Sequence, residues 1–301
     1  MKRLALLAVV TVAACGPAPN LLPADDLNRP TDVAFMCFGA FPAGTGTDGG
    51  VPDGGAGGAL QVSGRPLRAC HPQNEYDPGS TSTTRTFAFL PNSAGGTLSV
   101  VDADHWKLVD LDLDTAGYGT APLGQLPEQI SASDDGCRLL SANRGSCDLT
   151  VVDPSILVAP VFSSQNDVEV TLASPRTGAQ TFRPIKGDGT TLVAAPYEAV
   201  FLPQDTTSLV LPPASTNLPF LQGQGPLCSD SPAVDPAGWP VQPGPRSWYA
   251  LVTYPSCDLI TVVALPSGKI VSSAKVSSPD GQTVELIDTG TSPVCPISAS
   301  E

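Results

Sequence analysis

One unit occurs twice in this chain at a fixed offset. Leu90-Pro-Asn92-Ser-Ala-Gly-Gly-Thr-Leu98-Ser-Val-Val-Asp102 is followed by Ser141-Ala-Asn143-Arg-Gly-Ser-Cys-Asp-Leu149-Thr-Val-Val-Asp153, and three position pairs are each 51 residues apart. Repetition at a constant spacing marks a repeat architecture. The unit reads as a β-hairpin. Short runs of β-branched and aromatic residues, such as Phe87-Ala-Phe89-Leu and Leu98-Ser-Val-Val, flank turns made of Asn, Gly and Ser. Those turn residues supply the positive φ that a tight reversal needs. The closing Asp of each copy is expected to accept backbone N–H groups and start the next turn. A third copy, Trp248 to Val263, carries Ser256-Cys257-Asp258-Leu259, which matches Ser146 to Leu149 at an offset of 110 and ends on Ala264 in place of Asp.

Around the hairpins the chain divides readily. Met1-Lys2-Arg3 is basic and Leu4 to Ala14 is apolar. That run is too short to span a bilayer of about 30 Å and reads as a cleaved signal. Val12-Ala13-Ala14-Cys15-Gly16 resembles the lipobox of bacterial lipoproteins, in which the Cys is lipidated and becomes the mature N-terminus. An ordinary secretory signal with a chance Cys is the alternative. Gly16, in the place where Asp retains enteric lipoproteins in the inner membrane, implies the outer membrane. Residues 1–14 are then signal peptide, 15–30 a tether and 31–301 the repeat domain, with a Gly-rich insertion at 42–58 and a Pro-rich one at 203–246.

Removing the signal takes away Lys2 and Arg3, so a net charge of −14 becomes −16. Such a chain is not expected to bind nucleic acid or an anionic surface. With 41% hydrophobic and 15% charged residues it has enough apolar mass for a core, and 29 Gly with 32 Pro point to many turns and few helices.

Taken in order, Asp32 to Cys37 reads as a strand. Lys107 to Asp114 alternates, placing Asp110, Asp112 and Asp114 on one face, as a cation site or as an outer strand whose charges discourage edge pairing. The second unit has strands at 128–133, 137–143 and 148–153, with a less regular fourth within 156–172 and a loop at 173–190. Another strand ends near Leu202, short ones are expected at most near 208–211, and Gly268 to Lys275 completes the third unit.

Four strands per unit, a Pro-x-x-hydrophobic approach (Pro127 to Ile130), an Asp134-Asp-Gly136 turn, Ala142-Asn143 in the second strand and Val-Val-Asp in the third resemble the YVTN-type β-propeller repeat. The match is good over 86–114 and 124–153, fair over 247–276 and poor elsewhere. The resemblance implies an all-β propeller of four-stranded blades, about three of them with the start of another. Propellers need four to eight blades. Pro293 to Ser300 resembles the inner strand Pro127 to Ser133, with one extra residue, so the chain is expected to continue past Glu301 into further blades. A chance match in a Ser/Ala-rich tail is the alternative.

In such blades the turns between strands one and two and between strands two and three lie on opposite faces. With Cys15 assigned to lipid, seven of the eight cysteines remain for disulfides, an odd number. The faces place Cys137 about 20 Å from Cys147, too far to bridge. Cys37 with Cys70, which closes the Gly-rich loop, is the favoured pair; Cys257 with Cys295, which share one face, come next, then Cys137 with Cys228, and Cys147 is left over.

Chemistry is sparse. Two histidines, His71 and His105, do not make a copper cluster, and there is no haem motif, nucleophile elbow or phosphate loop. The Asp-Gly-Gly triplets near residue 50 lack the spacing of a calcium loop. No cofactor or metal is expected. Glu128, Glu198 and Glu285 reach a channel mouth in a metal-dependent lactonase-like reading, or stand at solvated strand ends. Two functions follow: a non-enzymatic envelope lipoprotein whose propeller binds a protein or glycan partner, or an enzyme, for example a lactonase-like hydrolase, with its catalytic residues in a missing C-terminal part.

Overall fold

The computed structural model describes residues 27, 29–42, 60–65, 67, 70, 84–111, 119–133, 136–163, 178–202, 248–265, 267–277 and 284–295. The three sheets are antiparallel. The first contains β1 (Ala34–Pro42), β2 (Leu60–Arg65), β3 (Thr84–Asn92), β4 (Thr97–Asp102), β5 (Lys107–Val109) and β6 (Ala121–Pro122), in the order β2-β1-β3-β4-β5 with β6 also on β4. The second is a meander of β7 (Pro127–Ala132), β8 (Leu139–Asn143), β9 (Asp148–Val152) and β10 (Ala179–Phe182). The third runs β11 (Glu198–Phe201), β12 (Trp248–Tyr254), β13 (Leu259–Leu265), β14 (Lys269–Ser277) and β15 (Glu285–Asp288).

The sheets stack face on face. Leu139 and Val152 are paired and turn toward the first sheet, where they join Met36, Phe87, Phe89 and Val100 in one core. Their chain neighbours Leu140 and Val151 turn the other way and join Ala199, Ala250, Val252 and Val263 in a second core. Every residue of β8 and β9 is buried. A four-stranded sheet sandwiched between two others is how propellers bury their blades, and the fold is all-β and propeller-like, with three stacked blades among the described residues.

Both expected hairpins form, and so does the third in a different register. Their turns span 93–96, 144–147 and 255–258, and the last residue of each has positive φ: Gly96 at 63°, Cys147 at 56° and Asp258 at 51°. Asp258 therefore corresponds to Cys147, at an offset of 111, and the Ser-Cys-Asp-Leu match at 110 is slid by one residue. A one-residue slip exchanges faces. Leu149 accordingly faces the third sheet, whereas Leu259 faces back toward the second.

Other expectations are corrected. The stretch after Asp153 is a helix, α1 (Pro154–Ser163), where an irregular strand was expected. The Asp153 carboxylate accepts the N–H of Ser155, and Pro154 stands in the first turn, which is the chemistry of a helix start. The fourth strand of this blade is β10, inside the stretch read as a loop. Its Thr181 hydroxyl bonds Thr150 at 2.8 Å. β2 returns after the Gly-rich insertion and pairs with β1, and β15 adds a fifth strand to the third sheet. The strand expected through Asp114 stops at Val109, and Asp110 accepts the N–H of Gly119 at 2.7 Å. Asp112, Asp114, both insertions and residues 208–211 lie outside the described residues.

The Cys37–Cys70 and Cys257–Cys295 disulfides are present, with Cα separations of 5.6 Å and 5.2 Å. Cys137 is disulfide-bonded; Cys228, its expected partner, lies outside the described residues. Cys147 is bonded as well, which corrects its place as the cysteine left over. It and Cys137 flank opposite ends of the β8–β9 hairpin, so neither serves as the other's partner.

Tyr254 is fully buried, and its hydroxyl lies near that of Thr261 but short of hydrogen-bond geometry; neither has another partner among the described residues. Burial pushes the phenol far up. Tyr254→Phe is expected to leave stability unchanged or raise it by about 1 kcal/mol, because it removes an unsatisfied buried group. Tyr254→Ala should cost about 3–5 kcal/mol through the cavity. Chemical denaturation of both variants checks the contrast.

Candidate functional site

β7 and β11 are the edge strands of their sheets on the inner side, and their inward N–H groups have no ladder partner. Here side chains serve them. Three inner strands begin alike: Pro30-Thr-Asp32, Pro127-Glu-Gln129 and Pro196-Tyr-Glu198. Pairing makes them equivalent, since Pro30 lies opposite Asn92 as Pro127 lies opposite Asn143, and Gln129 lies opposite Ala142 as Glu198 lies opposite Thr253. Arg29 and Leu126 precede the first two prolines, both with positive φ, and their carbonyls accept Ser93 N–H and Arg144 N–H.

Asp32 Oδ2 accepts the N–H of Ile130 from the next blade at 3.1 Å. Gln129 Oε1 accepts the N–H of Ala199 from the blade after at 2.9 Å. Thr31 Oγ donates to the Pro127 carbonyl and Ser131 Oγ to that of Ala199, at 2.9 Å and 2.8 Å. The seam is a row of polar side chains along the inner strands, and the oxygens of Thr31, Asp32, Gln129 and Ser131 are engaged with backbone.

A second polar cluster sits at the turn of the middle blade. Asn143 Nδ2 donates to Asp148 Oδ1 and Thr150 Oγ1, Ser146 Oγ donates to the same Asp148 oxygen, and Ser141 Oγ donates to Asn143 Oδ1, all at 2.8–3.0 Å. Gly124 presses its backbone against this cluster, where a Cβ would overlap Asp148, Ser146 and Asn143. Burial raises the Asp148 pKa above the usual carboxylate value of 3.8, opposed by the Asn143 and Ser146 hydrogen bonds and by the Arg183 charge.

The closing Asp residues behave as expected. Asp102 accepts the N–H groups of Asp104 and His105, and its carboxylate also pairs with Arg85 at 2.9 Å and His105 Nδ1 at 3.1 Å. Asp153 pairs with Arg138 at 3.2 Å. The three glutamates do not come together. Glu128 meets Arg144 at 3.6 Å, Glu198 stands on the seam, and Glu285 lies on the outermost strand of the third sheet. Among the described residues no group of three or more His, Cys, Asp or Glu side chains is placed to hold a metal ion. Cys15 and His71 lie outside the described residues.

No family model matches the chain and no curated protein matches it. Solved structures do. Hydrazine synthase of Kuenenia stuttgartiensis is 16% identical, with a TM-score of 0.24 over 70% of this chain and 55% of that one. Dihydro-heme d1 dehydrogenase NirN in complex with DHE is 14% identical, with a TM-score of 0.26 over 68% of this chain and 52% of that one. The Swd1 (Cps50) β-propeller domain of Myceliophteria thermophila is 10% identical, with a TM-score of 0.22 over 67% of each chain. The chain spans about half the length of the first two. The propeller-like architecture rests on the blade packing described above.

Gln129→Ala is expected to cost about 1–3 kcal/mol by orphaning the Ala199 amide, and Gln129→Glu less, since an acceptor remains. Urea midpoints decide between them. Asp148 gives a pH signature. A carboxyl raised by folding contributes stability that is fully present below its unfolded pKa and lost as pH rises through the folded value. The advantage of Asp148→Asn over the parent should therefore grow from pH 3.8 upward and level off above the raised value. Paired melts across that window measure it.

Proposed function

We propose that the protein is a lipid-anchored lipoprotein of the bacterial envelope, whose YVTN-type, propeller-like domain is a binding or scaffold module for an envelope protein or glycan. The observation that carries the non-enzymatic part is the seam. Where propellers present reactive groups, Asp32 and Gln129 are committed to backbone N–H groups of the neighbouring blade. Glu128 is committed to Arg144, and the imidazole of His105 to Asp102. Side chains committed in this way support a binding platform over a catalytic site.

Anchoring is carried by Val12-Ala-Ala-Cys15 behind a basic start. Several acyl chains on Cys15, each CH₂ contributing about 0.8 kcal/mol, hold a protein at a membrane, with residues 16–30 as tether. Gly16 favours the outer membrane. The net charge of −14 makes nucleic acid an unsuitable partner.

The test is metabolic labelling with an alkyne fatty acid, followed by membrane fractionation. The parent should take up label and sediment with outer membranes. Cys15→Ser should lose the label and appear in the soluble fraction. Because Cys137 and Cys147 both form disulfides, the competing fate of Cys15 is explicit. Recovery of its thiol in a disulfide with either residue would overturn the anchor.

A further inference from the structure

We propose that the outer edge of β15 is a docking site for an extended segment of a partner protein, one that carries two aliphatic residues between two basic ones. This docking rests on the binding-module reading above and not on the anchor. A strand edge is recognised by another backbone, which favours a protein over a glycan.

The described blades treat their outer edges differently. β5 is three residues long and opens on the exposed Lys107. β10 shows the polar side chains of Gln180 and Thr181. Shortness, lysine and polar side chains all keep an edge from pairing. β15, which gives the third sheet its fifth strand, is built otherwise. All four of its residues are exposed. Its centre is aliphatic, with Leu286 65% and Ile287 46% exposed, and its two charges, Glu285 and Asp288, are both carboxylates.

Hydrogen bonds fix which backbone groups of β15 are open. Thr289 N–H bonds the Ser273 carbonyl at 3.0 Å, whereas Val276 N–H turns away from β15 and bonds the Asp258 carbonyl at 2.6 Å. Direction alternates along an antiparallel ladder. Ile287, opposite Lys275, therefore turns its N–H and C=O toward β14. Leu286, opposite Val276, and Asp288, opposite Ala274, turn theirs outward. β15 is last in its sheet, so no described strand meets these groups.

Side chains give the chemistry of the partner. Glu285 shares a face with Ile287, and Asp288 shares the other with Leu286. Each face thus offers one carboxylate and one aliphatic side chain. Asp288 accepts the Gly290 N–H at 2.8 Å, and among the described residues neither carboxylate is in an ion pair, Lys275 across from Ile287 included. Residues directly opposite on paired strands share a face and favour opposite charge. A segment that reads basic, aliphatic, aliphatic, basic answers both faces at once. A second copy does not, because two β15 edges would gather four carboxylates on one short ladder between chains of net charge −14.

Titration of the isotope-labelled, oxidised full chain with the peptide TKVIKT, followed by NMR, tests the site. The amide protons of Leu286 and Asp288 should move downfield and saturate, and Ile287, already bonded to β14, should move less. The charge-reversed peptide TEVIET should leave all three unmoved. Leu286→Pro removes an outward N–H while sparing the β14 ladder, and should abolish binding. Glu285→Gln combined with Asp288→Asn, which keeps an acceptor for Gly290, should weaken binding about threefold to tenfold. Unmoved Leu286 and Asp288 signals, equal binding of the two peptides, or binding unchanged in Leu286→Pro would each overturn the docking. So would shifts that grow with protein concentration in the absence of peptide, which would give the edge to a second copy. Saturable shifts on other strands with β15 unmoved would overturn this edge and still leave a binding module, so the two readings fail separately. Should the proline variant not fold, the double variant and the two peptides decide.

Discussion

Leu139 and Leu140 are adjacent in the chain, point to opposite faces of one sheet, and are both completely buried. A side chain of this size gains about 1.5–3 kcal/mol when removed from water. A strand that collects this on both faces leaves no side for solvent, so the sheet must have a neighbour on each side. Stacking in turn exposes a problem at the inner edge. The first strands of the second and third blades, β7 and β11, have amides pointing at no ladder partner, and an unpaired buried amide is costly. Side chains from the preceding blade answer that need, which is why polar residues recur at Asp32, Gln129 and Glu198. Apolar layers thus set how the blades face one another, and the seam sets their register along the inner strands.

The blades are not copies of one solution. Asn92, Asn143 and Tyr254 hold one position before the hairpin turn, and Ser99, Thr150 and Thr261 hold another after it. In the middle blade the amide is fully used, because Ser141 donates to Asn143 Oδ1 and Thr150 accepts from its nitrogen. In the first blade Leu90 stands where Ser141 would be, and Asn92 Oδ1 is left without a partner among the described residues. In the third blade Tyr254 fills the space with a ring. The unsatisfied atoms Asn92 Oδ1, Tyr254 OH and Thr261 Oγ1 all belong to these positions. Variation in the repeat concentrates where a polar network must be complete to be favourable.

The hairpins and their closing Asp residues were legible because alternation, turn chemistry and spacing agree there. The Cys257–Cys295 disulfide follows from the face on which the hairpin turn lies, and Cys37–Cys70 from its flanking the Gly-rich loop. The third copy misled because Ser-Cys-Asp-Leu is a match of letters, whereas the backbone requirement is a positive φ at the fourth turn residue, met by Gly96, Cys147 and Asp258 alike. α1 was missed although Asp153-Pro154 announces a helix start, because the apolar run after it, with Pro160 inside, resembles a broken strand. β10 is four residues long and half polar, so periodicity carries little there. The seam was hidden for another reason. Pro-x-Asp, Pro-x-Gln and Pro-x-Glu look unrelated as residues, and only the pairing register shows that each presents an oxygen at the same place. In sequence Glu198 reads as a carboxylate near a channel, whereas its equivalents Asp32 and Gln129 act as backbone acceptors.

Each bond along the seam has a direction. The side chain belongs to the earlier blade and the backbone group it engages to the later one: Asp32 before Ile130, Gln129 before Ala199, Thr31 before Pro127. A chain is made from its N-terminus. As each blade appears, the oxygen that will position its successor is already in place, and nothing in the seam asks a finished blade to wait for a contact from behind. The arrangement is a ratchet of assembly. It favours blades added in chain order and gives a later inner strand one correct height at which to settle.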